Sequence, residues 1–195
     1  MQGVTQHSFF ETTIHEYFLD ETVIANSRTE LEKYAEDNKN ASGISLYFST
    51  YNRDLTTEVC GPYTSMINRL VTNHVTQLYQ RRAVIDMSFF NYVQKGCTHS
   101  KHSHGDNNMV CAIVYYDNIG HTNFYDPRPQ VFNFTPISIK AERGKVVLFP
   151  GWLEHEMPPH NTEGYRITMP FNFKMVTSEE NKNVTEILST LSNNS

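Results

Sequence analysis

The sequence predicts a mainly β domain, a sandwich or closed barrel, built behind two N-terminal helices. Beyond Arg82 the chain breaks into short aromatic and β-branched runs at 84–93, 109–116, 122–125, 137–140, 145–149 and 165–173. Turn clusters separate them, among them Asp117-Asn118-Ile119-Gly120, Asp126-Pro127-Arg128-Pro129 and Glu142-Arg143-Gly144. Many short strands with a turn roughly every 8 to 12 residues argue for antiparallel packing rather than a parallel sheet with crossover helices.

Each element has its own signal. Residues 9–19 read as an opening strand, and Asp20 or Glu21 then caps a helix running to about 37, with Val23, Ile24, Leu31 and Tyr34 as its buried face. A short strand is expected at 44–50. Over 63–81 the apolar positions Tyr63, Ile67, Leu70, Val71, Val75 and Leu78 recur at three- and four-residue steps, the spacing of one helical face. From 177 the chain is polar and Asn-rich, with Val184, Ile187, Leu188 and Leu191 at helical spacing. A length of 195 residues fits one domain. The expected organisation is residues 1–176, with 1–82 as helical and strand support and 83–176 as the β core, followed by a polar tail at 177–195.

Composition excludes several classes. The longest apolar run, 109–116, is far short of the roughly 18 residues needed to cross a bilayer. The first ten residues have neither the basic start nor the apolar block of a secretory signal, so a cytoplasmic location is expected. Net charge is −5 with no Lys/Arg cluster, which disfavours nucleic acid as a ligand. Three cysteines, Cys60, Cys97 and Cys111, are an odd number without paired spacing, so reduced thiols are expected. The expected partners are a small-molecule or peptide substrate, with no nucleic acid and no membrane, and a homodimer is allowed.

Histidine is where chemistry is concentrated. Of nine, His99, His102 and His104 fall within six residues. His104-Gly105-Asp106 sets an imidazole and a carboxylate two residues apart, which on an extended segment sends both to one side. His155, after the apolar stretch ending Phe149-Pro150-Gly151-Trp152-Leu153, offers a second imidazole. Two histidines and a carboxylate on one face of an ion leave three positions open, the arrangement of non-haem ferrous oxygenases. Eleven residues on, Arg166 presents a guanidinium fork that pairs bidentately with a carboxylate, and Thr168 points the same way from the strand. That combination fits 2-oxoglutarate as cosubstrate.

The ordered blocks His102-Ser103-His104-Gly105-Asp106, then Val110 to Tyr116, Gly120 to Phe124 with Asp126-Pro127-Arg128, Gly144 to His155, and Arg166 to Asn172 resemble the 2-oxoglutarate/Fe(II) oxygenases of bacteria and marine phages. In outline they are similar to the prolyl-hydroxylase-like superfamily. The resemblance implies a double-stranded β-helix, a cupin-like jelly roll. It implies His104, Asp106 and His155 as catalytic iron ligands, Arg166 as the cosubstrate residue, and Fe(II), 2-oxoglutarate and O2 as the reactants that act with substrate. The implied reaction hydroxylates an unactivated C–H bond of a peptidyl or amino-acid-like substrate, with release of succinate and CO2.

Other readings compete at single positions. His102 could replace Asp106 as a ligand, and such a donor pair with His155 would suit zinc or copper as readily as iron. His99 is expected on a solvated loop, and His121 and His160 at the surface, with the pocket mouth as the alternative. Trp152 reads as a core plug ahead of a substrate platform, Cys111 as a small buried hydrophobe, Arg128 as part of a plain turn or, by the resemblance, a pocket-rim residue, and Pro170 as the mark of a local edge or a bulge. At least one of Tyr115, Tyr116 and Tyr125 should face the interior. The rival classes are a non-catalytic cupin-like protein, which has no need of Arg166, and a zinc hydrolase using Glu154 or Glu156 as base.

Overall fold

Asp20 closes the first strand, β1 (His15–Phe18), and opens the first helix, α1 (Glu21–Ser42). Its Oδ1 accepts the backbone N–H of Thr22 at 2.9 Å and of Val23 at 3.2 Å, so the expected cap is in place. The computed structural model describes residues 12–42, 47–49, 60–105, 108–128 and 135–176. The proposed tail and residues 9–11 of the expected opening strand lie outside these residues, and the strand itself begins at His15. The helix runs a turn past its expected end. Strand β2 (Tyr47–Ser49) falls within the predicted 44–50.

The second helix, α2 (Pro62–Tyr79), buries Thr64, Ile67, Val71 and Val75, while Tyr63 and Leu78 at the rim of the expected stripe are exposed. Its N-cap, Gly61, has no side chain with which to cap. A carboxylate from the neighbouring helix fills the role. Glu30 accepts the N–H of Tyr63 at 3.0 Å and the N–H and hydroxyl of Thr64, both at 2.8 Å. A Cβ on Gly61 would sit 2.3 Å from the Glu30 carboxyl carbon, so glycine makes the approach feasible. The negative charge also meets the positive end of the helix dipole.

Beyond the helices the chain folds into two antiparallel sheets. The strands are β3 (Ala83–Ser88), β4 (Asn91–Gln94), β5 (His99–His102), β6 (Met109–Tyr115), β7 (His121–Phe124), β8 (Ile137–Lys140), β9 (Lys145–Pro150), β10 (His155–Met157) and β11 (Tyr165–Met175). The larger sheet has the order β1-β9-β6-β11-β4-β2, with β3 also on β11, and the smaller one is β5-β10-β7-β8. From β4 onward the chain passes back and forth between the sheets, with only the consecutive pair β7 and β8 staying in the smaller one, the winding of a double-stranded β-helix, as expected.

The central strands of the larger sheet are buried on both faces. On β6, Val110, Ala112 and Val114, followed by Tyr116 just past its end, pack towards the helices, while Cys111, Ile113 and Tyr115 pack between the sheets. On β9, Val146 and Leu148 take the first side, Val147 and Phe149 the second. This is why 109–116 reads as one unbroken apolar run instead of an alternation. Polar groups tie the layers: the Ser27 hydroxyl lies 3.0 Å from that of Tyr116 and 3.2 Å from that of Thr64.

One expectation needs correction: the single strand expected at 84–93 is two, β3 and β4, interrupted at Phe89 and Phe90. Pro170 sits at a local edge, as expected: β6 pairs with β11 over Thr168–Lys174, but on the other side β4 partners it only up to Thr168 and β3 only from Phe171. Proline occupies the handover, where the ladder asks for no N–H from it. The three cysteines are all unbridged thiols, and no helix among the described residues is long and apolar enough to cross a membrane.

The cross-helix cap should be measurable. Glu30→Ala is expected to lower unfolding stability by about 1–2 kcal/mol, the usual range for loss of a strong N-cap. Urea titration reads it, and a change below about 0.3 kcal/mol would show that the cap is not carrying α2.

Candidate metal centre

The antiparallel pair β5/β10 is registered with His102 opposite His155. Cross-strand partners share a face, so both imidazoles enter the space between the sheets, with ring centroids 4.3 Å apart. His104 follows two residues beyond His102. Its backbone N–H donates to the Gly151 carbonyl at 2.8 Å, and the Gly151 N–H donates to Met109 at the same distance, so the segment is pinned to the end of β9. A Cβ on Gly151 would come within 2.8 Å of Met109 Cβ, which explains glycine there. The His104 ring lies 5.5 Å from that of His155 and 5.3 Å from that of His102. One donor nitrogen from each of the three histidines falls within 4.8 Å of the others.

Hydrogen bonds at the back of the rings fix what the front offers. His155 Nδ1 lies 2.9 Å from the Leu153 carbonyl, and His102 Nδ1 lies 2.7 Å from the Ser100 carbonyl. A carbonyl only accepts, so each Nδ1 carries the proton and each Nε2 presents a lone pair to the pocket. Burial keeps the His155 and His104 rings neutral. It is the main force pushing His155 down to about 3, against the Leu153 hydrogen bond and with help from neighbouring imidazoles. Burial, then His102, also lowers His104.

These donors fit a divalent transition metal. Three atoms 4.8 Å apart have a common centre about 2.8 Å away at most, against about 2.1 Å for a metal–imidazole bond, a gap that small ring movements close. The pocket around them is apolar, with Phe89, Ile113, Phe149, Met157 and Pro170 in its wall and no charged residue among its described lining.

His99 belongs to this pocket rather than to a solvated loop. His155 faces His102 and Met157 faces His99, so two residues on β10 span three on β5. That irregularity turns both histidines of β5 inward, which simple alternation does not reveal. Burial, with His102, Arg166 and His104, holds His99 down to about 4. His160, expected at the surface, is 4% exposed and packs against the Val93 and Thr162 carbonyls.

Arg166 is 1% exposed on β11, and its Nη1 donates to the Pro158 carbonyl at 2.8 Å. Gly120, at φ +81°, makes room for it: a Cβ there would lie 3.0 Å from that same nitrogen. Thr168 is buried opposite Tyr115, whose hydroxyl shares a 2.6 Å hydrogen bond with Thr122. Of the three tyrosines considered, Tyr115 is thus the one between the sheets. Neither Arg166 nor Thr168 reaches the wall of the histidine pocket itself; both lie further along the strand that supplies Pro170 and Asn172 to that wall.

The structure therefore gathers His104 and His155 from the expected set and adds His102, while Asp106 lies outside the described residues. Asn172, which sequence reasoning placed only within a motif, touches His104. Arg128 folds back onto Asp126 in an exposed turn and does not line the pocket. Trp152 packs against the inter-sheet core as expected. Glu154 pairs with Lys101, and Glu156 accepts from Asn123 and Tyr125, so neither offers a base to the histidines.

A family profile described as "Putative 2OG-Fe(II) oxygenase" matches residues 87–172. These residues are similar to the 2OG-Fe(II) oxygenase family. The match takes in every strand from β4 to β10 and each histidine of the cluster, in a family of oxidoreductases. No curated protein matches the chain. Among solved structures, HygX from Streptomyces hygroscopicus with nickel and 2-oxoglutarate bound aligns at 13% identity, covering 85% of this chain and 83% of its own, with a TM-score of 0.64. AviO1 from Streptomyces viridochromogenes Tue57 aligns at 12% identity, with 84% and 90% covered and a TM-score of 0.61. A Pseudomonas putida prolyl-4-hydroxylase aligns at 15%, with 85% and 92% covered and a TM-score of 0.54. At such identities the likeness establishes the oxygenase fold.

The neutral histidines make the metal-free protein acid-sensitive. His155 is held near 3 against 6.5 in the unfolded chain, so between those values the unfolded state binds the extra proton and stability falls as pH drops. Urea unfolding from pH 7 to 4 should show this loss, with a shallower slope in His155→Gln. Equal slopes would contradict the assigned burial of that ring.

Proposed function

We propose that this chain is a 2-oxoglutarate- and Fe(II)-dependent dioxygenase that hydroxylates an unactivated C–H bond of a peptidyl or small amino-acid-like substrate, with release of succinate and CO2. The observation that carries the reading is the meeting of His102, His104 and His155 in one apolar pocket beneath a strand that also bears a buried Arg166. A metal held there supplies the site at which 2-oxoglutarate and O2 react. The HygX structures, one with iron bound and one with nickel and 2-oxoglutarate bound, support the same pairing of metal and cosubstrate on this fold.

The protein's own residues divide the remaining tasks. His104 and His155 donate through neutral rings. His102 supplies the third donor, at the position for which Asp106 is the sequence's candidate. Arg166, with Thr168 beside it, binds the distal carboxylate of 2-oxoglutarate by a charge-assisted fork. Phe89, Phe149 and Met157 exclude water from the space where substrate meets the metal. The reaction takes place in a non-membrane setting, on a small molecule or peptide.

Anaerobic titration with Fe(II) and 2-oxoglutarate should develop a weak visible charge-transfer band, lost in His104→Ala and His155→Ala together with at least about hundredfold of the decarboxylation rate. The third donor is read from two more variants: loss in His102→Ala with retention in Asp106→Ala identifies the imidazole, and the reverse identifies the carboxylate. Full turnover in His104→Ala or His155→Ala would end the proposal.

Arg166→Ala should raise the KM for 2-oxoglutarate by about ten- to hundredfold, the worth of a charged hydrogen-bonded pair. Gly120→Ala should shift it in the same direction by crowding the guanidinium. An unchanged KM in Arg166→Ala would remove that residue from cosubstrate binding.

A further inference from the structure

We infer that Asn172 is the positioning residue for His104, a two-position amide that sets which ring nitrogen His104 offers to a metal. The inference rests on the metal-site reading above. Two of the three histidines have their rear nitrogen held by a backbone carbonyl two residues earlier, Ser100 for His102 and Leu153 for His155. Side-chain substitution leaves such acceptors in place. His104 differs: its Nδ1 faces the side-chain amide of Asn172, with Nδ2 at 3.4 Å.

Asn172 comes from β11, opposite Cys111 of β6, and is 6% exposed. The pairing of β11 with β3 shifts register between Asn172 and Phe173, so the amide stands at an irregularity of the sheet. On its other side the Cys111 thiol donates to Oδ1 at 3.3 Å. The amide is thus clasped between a thiol and an imidazole, both on the pocket face.

In this arrangement the amide N–H donates to Nδ1, and the His104 proton resides on Nε2. Binding a metal through Nε2 requires the opposite tautomer, with the proton on Nδ1 and an acceptor behind it. A half-turn of the amide supplies that acceptor, Oδ1, and swings Nδ2 to the thiol. Sulfur can donate weakly or accept weakly, so Cys111 satisfies both positions. Metal loading and the orientation of Asn172 are therefore coupled, through His104 alone of the three histidines.

The test uses metal binding rather than turnover. Co(II) titration of the full chain, followed by its visible absorption, should show wild-type protein binding in a His155-dependent manner. Asn172→Leu, which removes the acceptor at similar size, should weaken Co(II) about ten- to hundredfold. Asn172→Asp, which only accepts, should stay within about threefold of wild type or bind more tightly. Because Asn172→Leu also alters a buried strand, 15N-histidine NMR of the wild type gives a second readout: the His104 proton should move from Nε2 to Nδ1 when Zn(II) is added. Leu binding as well as Asn, Asp binding as poorly as Leu, or a His104 tautomer unchanged by Zn(II) would each overturn the role of Asn172 while leaving the metal site intact. Wild-type protein that takes up no Co(II) through His155 would remove the site and this inference together.

Discussion

The register of β5 against β10 is the constraint on which the site depends. Side chains alternate with a period of two, so a slip of one residue would send His155 to the outer face and leave His102 facing bare strand. The pairing of these two short strands would be weak in isolation. It is held because β10 also pairs with β7 and because Gly151 ties the His104 segment to β9. The irregularity on β5 then brings His99 inward as well, so four imidazoles border one pocket.

Behind the histidines stands a rigid sheet. The strands β6, β9 and β11 are buried on both faces, and their backbones have little room to adjust. β11 bears Arg166, Thr168, Pro170 and Asn172 along one face, so the residues proposed to bind cosubstrate and to orient His104 come from a single strand. Proline at its centre is tolerated because the neighbouring ladder changes hands there. The apolar pocket has an electrostatic consequence. Burial keeps His104 and His155 neutral and able to donate, and with His102 as third donor the protein would contribute no negative charge to the ion. In that reading the dianion of 2-oxoglutarate supplies the balancing charge, and Arg166 answers its far end.

The sequence made the fold and part of the site legible for identifiable reasons. Apolar steps of three and four revealed α2, Asp20 announced α1, and the strands buried on both faces stood out as apolar runs. His104 and His155 were visible because their spacing matches a family and each side chain has an obvious chemistry. What stayed hidden depends on contacts between distant segments. β5 and β10 are three or four residues long and polar, so no periodicity marks them. His99 turns inward through an irregular pairing, and Glu30 caps a helix more than thirty residues away. Asn172 has no signature beyond lying two residues past Pro170 on a strand. The inward placement of His102 follows from which strand β10 pairs with, and local spacing favoured Asp106 instead.

The most direct examination of the central claim is anomalous scattering at the metal edge from crystals grown with Co(II) or, without oxygen, Fe(II). A single strong peak bonded to Nε2 of His102, His104 and His155 is the result predicted. A peak lying elsewhere, or one touching only one of these imidazoles, would contradict it.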